Sequence, residues 1–574
     1  MGQPGEIITF QVGNYANFVG AHFFNLQDPH LNPEHETDFC HRVFWREGQN
    51  FQRQKILTPR VLMFDLKDNW GNAFIRNSND VSEPGIQPGT FAKSNQPVKQ
   101  NRVDQVEKNI SWDGKVQTVV LRNDSSDSDE DLDPLPGTHK SANAGKKKVK
   151  LGPSDFSSWG EYAKWRLHNA DKAAFRIPNY MYNAGSEELV SYGQGLDVYN
   201  KIQENVEDGI RHYAEDCDHL EGFHMLVDEY DGFTGIAGGI LEHLGDEYDK
   251  KACLGLGLNH PFPDNEKWSK RRTLKEYKIR ISNTAQLWGS FTNHSRVFSS
   301  LGVTEDIFSM NPSSKKFTSV VQDCTSPYIS SAILAAALDS LSSPYRLHSP
   351  SFPLHEMTSV LNAFGHKMTI IGSSTPFPMG QQTLFSALNK DGFSSLNCLT
   401  PNVSLDLDTA LGNVFVTRGI NQDHVMSKSE CREYKHADIN SVTSCLELFC
   451  QESYPRSVHV IKNLSNSFKM RYPFPKLYDD VYLDTHSTKK QFTNPQVPCW
   501  FLPALTTAHN TPGTSKILER LISTIGGGTG GSAMKLKTFY EPSSATCNSS
   551  VVEFEDFADC VTELCSLKDT YSAE

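Results

Sequence analysis

Residues Tyr213 to Tyr248 read YAEDCDHLEGFHMLVDEYDGFTGIAGGILEHLGDEY, and this stretch decides how the rest of the chain is organised. A polar helix end leads into a short apolar run, Phe223 to Val227, then a tight Asp231-Gly232-Phe233-Thr234-Gly235 turn, then an amphipathic helix. Ile236, Ile240, Leu244 and Tyr248 recur at helical spacing on one stripe, while Glu242, Asp246 and Glu247 fall mostly elsewhere. The result is a strand, glycine turn and helix unit. Bare backbone N–H groups and the positive end of a helix dipole meet at its turn, which suits a phosphate. The same unit also serves as a plain chain reversal in α/β proteins that bind nothing there. Asp228 and Asp231 flank the turn, and a carboxylate there either repels a phosphate or takes a helix N-terminus for itself. A bound Mg²⁺ would reverse that sign, because carboxylates are its usual ligands.

The 574 residues can bury a large core and imply two to four domains. A net charge of -13 argues against a general nucleic-acid binder. The 12 cysteines form no CxxC pair, and the close spacings, Cys445 to Cys450 and Cys560 to Cys565, have no pair of histidines nearby, so zinc is not expected. No signal peptide opens the chain, which points to reduced thiols in a cytoplasmic protein. The apolar run Ala332 to Leu341 is about half of a membrane span and is broken by Asp339, so any membrane association is expected to be peripheral.

Working outward, Glu6 to Val12 (EIITFQV) reads as a buried first strand, followed by Gly13-Asn14-Tyr15-Ala16-Asn17-Phe18-Val19-Gly20 as a loop and an apolar helix start at Ala21 to Phe24. Thr58-Pro59 opens a second continuous apolar strand, Val61 to Leu66. Its Asp65 reads either as a capping carboxylate or as part of a site. From Asn77 to Ser154 apolar residues thin out, with an acidic tract at Asp124 to Asp133 and a basic cluster at Lys146 to Lys150. That composition reads as a largely disordered insertion, in which Gln117 to Leu121 can form a short edge strand. Ser126 and Ser128 each have an acid three residues on, which suits an acid-directed kinase, and Lys146-Lys147-Lys148 reads as an import signal or a solvated linker.

Trp159 to Leu167 reads as an amphipathic helix, and Tyr277 to Ile281 as a strand before Ser282-Asn283-Thr284-Ala285 opens a helix. Asn283 there is either an N-cap or an amide able to read a purine edge. Ser331 to Leu338 is a small-residue helix that packs closely on a sheet, and Val414 to Arg418 is a strand. Gly526 to Gly531 follows a helix, Ile517 to Ile525, leads to no clear amphipathic helix, and is read as a flexible linker. Phe554 to Leu567 is an acidic amphipathic helix that either packs on the domain or docks to a partner.

Several of these stretches carry a resemblance to the tubulin/FtsZ family. Cys217, Asp218, Leu220, Gly222 and Phe223, then Gly232, Thr234 and Gly235, then Asp246, Glu247 and Tyr248 follow its phosphate-loop region. Gly13, Asn17, Gly20 and Phe23 match its first nucleotide loop, but Asn14 replaces a glutamine, Tyr15 a cysteine and Ala16 a second glycine, which narrows the backbone's approach to a phosphate. Thr58 to Leu66 is similar to its Pro-Arg-x-x-x-x-Asp-Leu strand. Ser191-Tyr192-Gly193-Gln194-Gly195 keeps only the first part of its terminal-phosphate loop. Phe352 to Leu361 resembles the start of its second domain. His355 and Met357 stand there at the family's Asn and Asp, and methionine cannot activate a water.

The Asp-Gly-Phe-(Ser/Thr)-Gly form of the loop resembles more specifically the Misato branch of that family, over nearly the full length. The resemblance implies a tubulin/FtsZ-like α/β fold: a doubly wound, mostly parallel sheet in a GTPase-type domain, a central helix and an α+β second domain. It divides the chain into residues 1–76 and 155–300 of the nucleotide-binding-type domain with the start of the central helix, the insertion 77–154, a second domain 301–510, and C-terminal helices with the Gly-rich linker at 511–574. It implies phosphate contacts from Gly13, Asn14, Asn17, Gly20, Gly232, Thr234 and Gly235, with Asp65 near the nucleotide and Asn283 on the base. GTP or GDP is then the cofactor, and Mg²⁺ enters only with it. It also implies roles in mitochondrial distribution and morphology and in mitotic spindle assembly and chromosome segregation. The implied partners are tubulin or its folding machinery and the mitochondrial outer surface, met peripherally, and the spindle is a second implied location. The favoured reading is an interaction protein with weakened or absent GTPase activity. The rivals are an active GTPase and a phospho-regulated scaffold acting through the insertion.

Overall fold

The computed structural model describes residues 4–28, 38–49, 55–70, 156–177, 189–261, 274–378, 383–390, 396–420, 425–430, 441–494, 497–526, 533–544 and 552–571, less 157, 166, 168–169, 311, 318, 350–351, 404, 406–409 and 428–429. The insertion, Ser126, Ser128, the Lys146 cluster, the Gln117 to Leu121 segment and most of the Gly526 to Gly531 run lie outside the described residues.

Continuous apolar runs become strands buried on both faces, as a parallel sheet covered by helices requires. β1 (Glu6–Val12) and β2 (Val61–Leu66) are buried throughout their length. With β3 (Ala174–Ile177), β4 (Leu220–Asp228), β5 (Ala252–Asn259) and β6 (Val297–Gly302) they form an all-parallel sheet in the order β3-β2-β1-β4-β5-β6. That order reverses direction between β1 and β4. Doubly wound sheets open a crevice at such a switch point, beyond the strands' carboxyl ends.

α1 (Asn14–Gln27) follows β1 directly, so Gly13 to Gly20 is the helix's own first turns and not a loop. α2 (Tyr192–Glu215) precedes β4, and α3 (Phe233–Glu247) follows it with Ile236, Ile240 and Leu244 buried. α4 (Leu274–His294) joins β5 to β6. Tyr277 to Ile281 is therefore helical. Its β-branched residues imitate a strand over five positions, but Ile281, Ala285 and Trp288 continue a helical stripe that is buried. Trp159 to Leu167 departs from the expected helix as well: only Trp159–Glu161 makes a single 3-10 turn, because Trp159 and Tyr162 are both buried against α1 and its strand neighbours.

α5 (Pro327–Ser342) packs on α1 and also touches strands of a second, mixed sheet. It begins at Pro327, after the first sheet is complete, and not before residue 300. The second sheet runs Asn397–Cys398, β7 (Ile370–Ser374), β10 (Ala504–Asn510), β8 (Gly412–Arg418), β9 (Val458–Leu464), with β8 and β9 parallel and the other pairs antiparallel. α6 (Leu354–Leu361) buries Leu354, Met357, Thr358 and Leu361, so Met357 is a core residue while His355 stays exposed. α7 (Ser515–Ile525) ends on Gly526, whose φ of +88° is the left-handed cap that glycine supplies. A further helix, Ala533–Ser544, follows the glycine run. α8 (Phe554–Thr570) packs on α4 through its buried face of Phe557, Val561, Leu564 and Leu567, which decides between the two alternatives left open for it.

Candidate functional site

The switch point lies where β1 runs into Gly13 and β4 ends at Asp228. Gly13 has φ +120°, and a Cβ there would meet the Asp228 Cγ at 2.4 Å, so only glycine lets the two strand ends approach. The Asp228 carboxylate turns onto the start of α1, where Oδ2 accepts from the Tyr15 N–H at 2.9 Å and Oδ1 from the Ala16 N–H at 2.7 Å. These are among the orphan donors that make a helix N-terminus an anion site. The chain's own carboxylate takes the place a phosphate would take, which is the second of the two roles foreseen for it.

A second carboxylate does the same for α3. Asp231 Oδ1 accepts from the Phe233 N–H at 3.0 Å, and the Thr234 hydroxyl donates back to the Asp231 carbonyl at 2.8 Å. Gly232 and Gly235 face α2 and not a cleft: a Cβ on Gly235 would sit 1.9 Å from the Tyr192 carbonyl, and one on Gly195 would sit 1.7 Å from the Gly232 carbonyl. Their small size serves a backbone crossing. A bulky Gly235 variant would therefore damage packing whether or not phosphate binds. Ser191 to Gly195 is the start of α2, with Ser191 and Gln194 forming a reciprocal capping box, and not a phosphate-sensing loop.

Asp65 is saturated. Asn69 Nδ2 (2.7 Å) and the Leu66 N–H (2.8 Å) donate to Oδ1, while Trp159 Nε1 (2.9 Å) and Asn17 Nδ2 (3.2 Å) donate to Oδ2. It anchors the Trp159 segment to the strand end. Asn17 also donates to the Gly13 and Phe64 carbonyls. Gly20 makes room for the Gln11 amide, whose Nε2 an added Cβ would meet at 2.0 Å, and Asn14 is the first residue of α1, half-buried.

Asn283 lies inside α4, neither a cap nor the start of a central helix. Its Oδ1 accepts from the Tyr192 N–H at 2.9 Å, and its Nδ2 donates to the Val190 and Tyr230 carbonyls. The amide is spent on joining α4 to the loops before α2 and after β4. α5, which touches strands of both sheets, has a sequence that contains no asparagine.

Residues that sequence reading missed crowd the same crevice. The Tyr15 ring meets His260 edge-on at 6.1 Å, Tyr230 meets His260 at 5.9 Å, and the Arg280 guanidinium lies 5.2 Å from the Tyr230 ring centre. The substitution of Tyr15 for the family's cysteine was the only signal in sequence.

Burial sets the electrostatics. Asp65 is pushed up to about 6, chiefly by desolvation, against the pull of its four donors. Glu229, bonded by Trp288 Nε1 and the Ser300 hydroxyl, is pushed up to about 7 by burial. Asp231 is raised to about 7 by burial. Asp228 is raised well above the carboxylate range, by burial first and the neighbouring Asp231 charge second. Among the described residues no group of three or more His, Cys, Asp or Glu side chains is placed to hold a metal ion. With the α1 donors taken, the glycines closed by α2 and the Asn283 amide spent, this arrangement does not fit a nucleoside triphosphate.

Comparison with known proteins places the fold. Residues 5–133 match the family model described as the Misato Segment II tubulin-like domain, and residues 148–347 match the Tubulin domain model. Protein misato homolog 1 of Danio rerio is 26% identical over 550 residues, 90% of each chain. Protein misato of Drosophila melanogaster is 28% identical over 494 residues, 82% of this chain and 83% of the relative. Protein DML1 of Gibberella zeae is 23% identical over 391 residues, 67% and 68% of the two. The two domain matches and the kinship agree: the chain carries Misato Segment II and tubulin-like domains and is similar over most of its length to the misato proteins.

Proposed function

We propose that this protein uses a tubulin fold for its surfaces, with weak or no GTP hydrolysis, in mitochondrial distribution and morphology and in mitotic spindle assembly and chromosome segregation. The observation that carries the non-enzymatic half is the Asp228 carboxylate on the Tyr15 and Ala16 N–H groups. Kinship to the misato proteins supports the cellular half. The partners are tubulin or the machinery that folds it, and the mitochondrial outer surface. Contact with that surface is peripheral, in keeping with the finding that no described helix is long and apolar enough to cross a membrane. The protein works from the cytoplasm, with a spindle-associated pool during division.

Depletion in dividing cells, with re-expression of the full chain, tests this reading. Clustered or misshapen mitochondria together with disorganised spindles are expected, both restored by re-expression, and tubulin or a tubulin-folding chaperone should co-purify with the tagged protein. Normal mitochondria and normal division after depletion would contradict it.

A further inference from the structure

A cleft of about 280 Å³ lies at the opposite end of α1 from the crevice described above. Its walls include Gln27 at the end of α1, Phe39, the Asp339–Arg346–Arg418 cluster, the turn Ser465 to Ser467, and Lys469 and Phe501.

The charged floor is built, not incidental. Asp339 on α5 accepts from Arg346 Nη2 through Oδ1 at 2.8 Å and from Arg418 Nη1 through Oδ2 at 2.5 Å. All three side chains are at least nine-tenths buried. Two guanidiniums therefore share one carboxylate, leaving an excess positive charge where hydration is poor, although Arg418 also donates through Nε to the Asn466 carbonyl at 3.2 Å and through Nη2 to the Ser467 carbonyl at 3.5 Å. Arg346 forms its hydrogen bonds to Asp339 and Ser343 through Nη2, and its Nε has no partner. Burying a cation without full compensation is unfavourable unless an anion completes the set. Both guanidiniums also lie over the Phe39 ring, at 4.8 and 5.4 Å from its centre. Gly419, at φ +61°, brings the Ser467 turn against the end of β8, since a Cβ there would meet Ser467 Oγ at 2.1 Å.

We propose that this cleft binds a small ligand through an oxyanion group, a phosphate or a carboxylate, held at Arg346, with the Arg418 charge behind it and Lys469 at its wall. A charge-assisted bond from a guanidinium in a poorly hydrated cleft is among the stronger polar contacts. Phe39 and Phe501 offer flat apolar surface to the body of the ligand. The site is separate from the crevice at Asp228, so it stands whether or not nucleotide binds there.

Titration calorimetry on the full chain with inorganic phosphate, and separately with succinate, at fixed ionic strength tests the proposal, and the two arms tell phosphate from carboxylate. Lys469→Glu reverses the wall charge without touching the Arg–Asp–Arg set, and is expected to weaken binding at least about tenfold. Ser465→Trp fills the exposed turn and should block binding without changing any charge. Lys275→Glu, an exposed residue on α4, should leave affinity unchanged. Saturable binding of either anion that both cleft variants weaken and the control does not supports the site. No binding of either anion, or equal binding in all four proteins, overturns it.

Discussion

Replacing Asp339 with alanine is expected to cost about 3–5 kcal/mol of folding stability, the usual consequence of breaking a buried ion pair from one side. The carboxylate is the shared acceptor for Arg346 and Arg418, whose side chains are only 5% and 6% exposed. The position also ties three elements together: α5 carries Asp339, the 3-10 turn Ser343–Arg346 carries one arginine, and the end of β8 carries the other. Total stabilities of 5–15 kcal/mol are typical, so the variant should be near the edge of folding. Denaturant unfolding with a lower midpoint and an unchanged slope checks this. A loss below about 1 kcal/mol would mean that the arginines find other acceptors or water.

The buried carboxyls should pull stability down as pH rises from about 5 to about 8. They act against His22, His224 and His509, which burial lowers to about 3 and which favour the native state as pH rises towards 6.5. Asp65, Glu229 and Asp231 titrate in the folded protein near 6, 7 and 7, well above the ordinary carboxylate range. Between about pH 4 and those values the native state keeps protons that the unfolded chain has released. Raising pH through that window therefore favours the unfolded chain, and the stabilisation that is full below pH 4 is gone above the folded values. A tenfold difference in proton affinity between the folded and unfolded chain is worth about 1.4 kcal/mol, so even one of the three acids acting at partial strength moves stability by about 1–3 kcal/mol. Unfolding midpoints at pH 5 and pH 8 measure it. Asp231→Asn removes one titrating group and should flatten the slope. A pH dependence in Asp231→Asn identical to that of the unaltered protein would contradict the burial of that acid.

Much of the fold was legible because its central strands are continuous apolar runs. Glu6 to Val12 was delimited to the residue, and Phe223 to Val227 lies wholly inside β4. The α3 stripe was readable from Ile236, Ile240 and Leu244 alone. What failed were short segments whose local pattern fits two structures. Ile279 and Ile281 favour a strand by type, yet they sit in a 21-residue helix whose later turns decide the matter. Trp159 and Tyr162 have helical spacing because both are buried, but Trp159 spends its indole N–H on Asp65, 94 residues earlier.

The candidate site was legible as a place and not as a state. The glycines of the Asp231 turn mark a backbone crossing with α2, a contact that no local pattern reveals. Asn283 reads as a cap in a window of four residues and as a mid-helix latch once Val190, Tyr192 and Tyr230 are brought to it. Asp228 was recognisable as a rival to phosphate, but the donors it takes come from residues 213 and 212 positions away. Asp339 looked only like a break in an apolar run until Arg418 was placed beside it.

The central claim is that the chain's own carboxylates close the nucleotide position. Freshly purified, undigested protein should be denatured and any released nucleotide identified by chromatography, with GTP then titrated into the native protein in the presence of Mg²⁺. The account predicts no released guanine nucleotide and no saturable binding. Stoichiometric GTP or GDP would contradict it, since Asp228 would then have to leave the Tyr15 and Ala16 N–H groups.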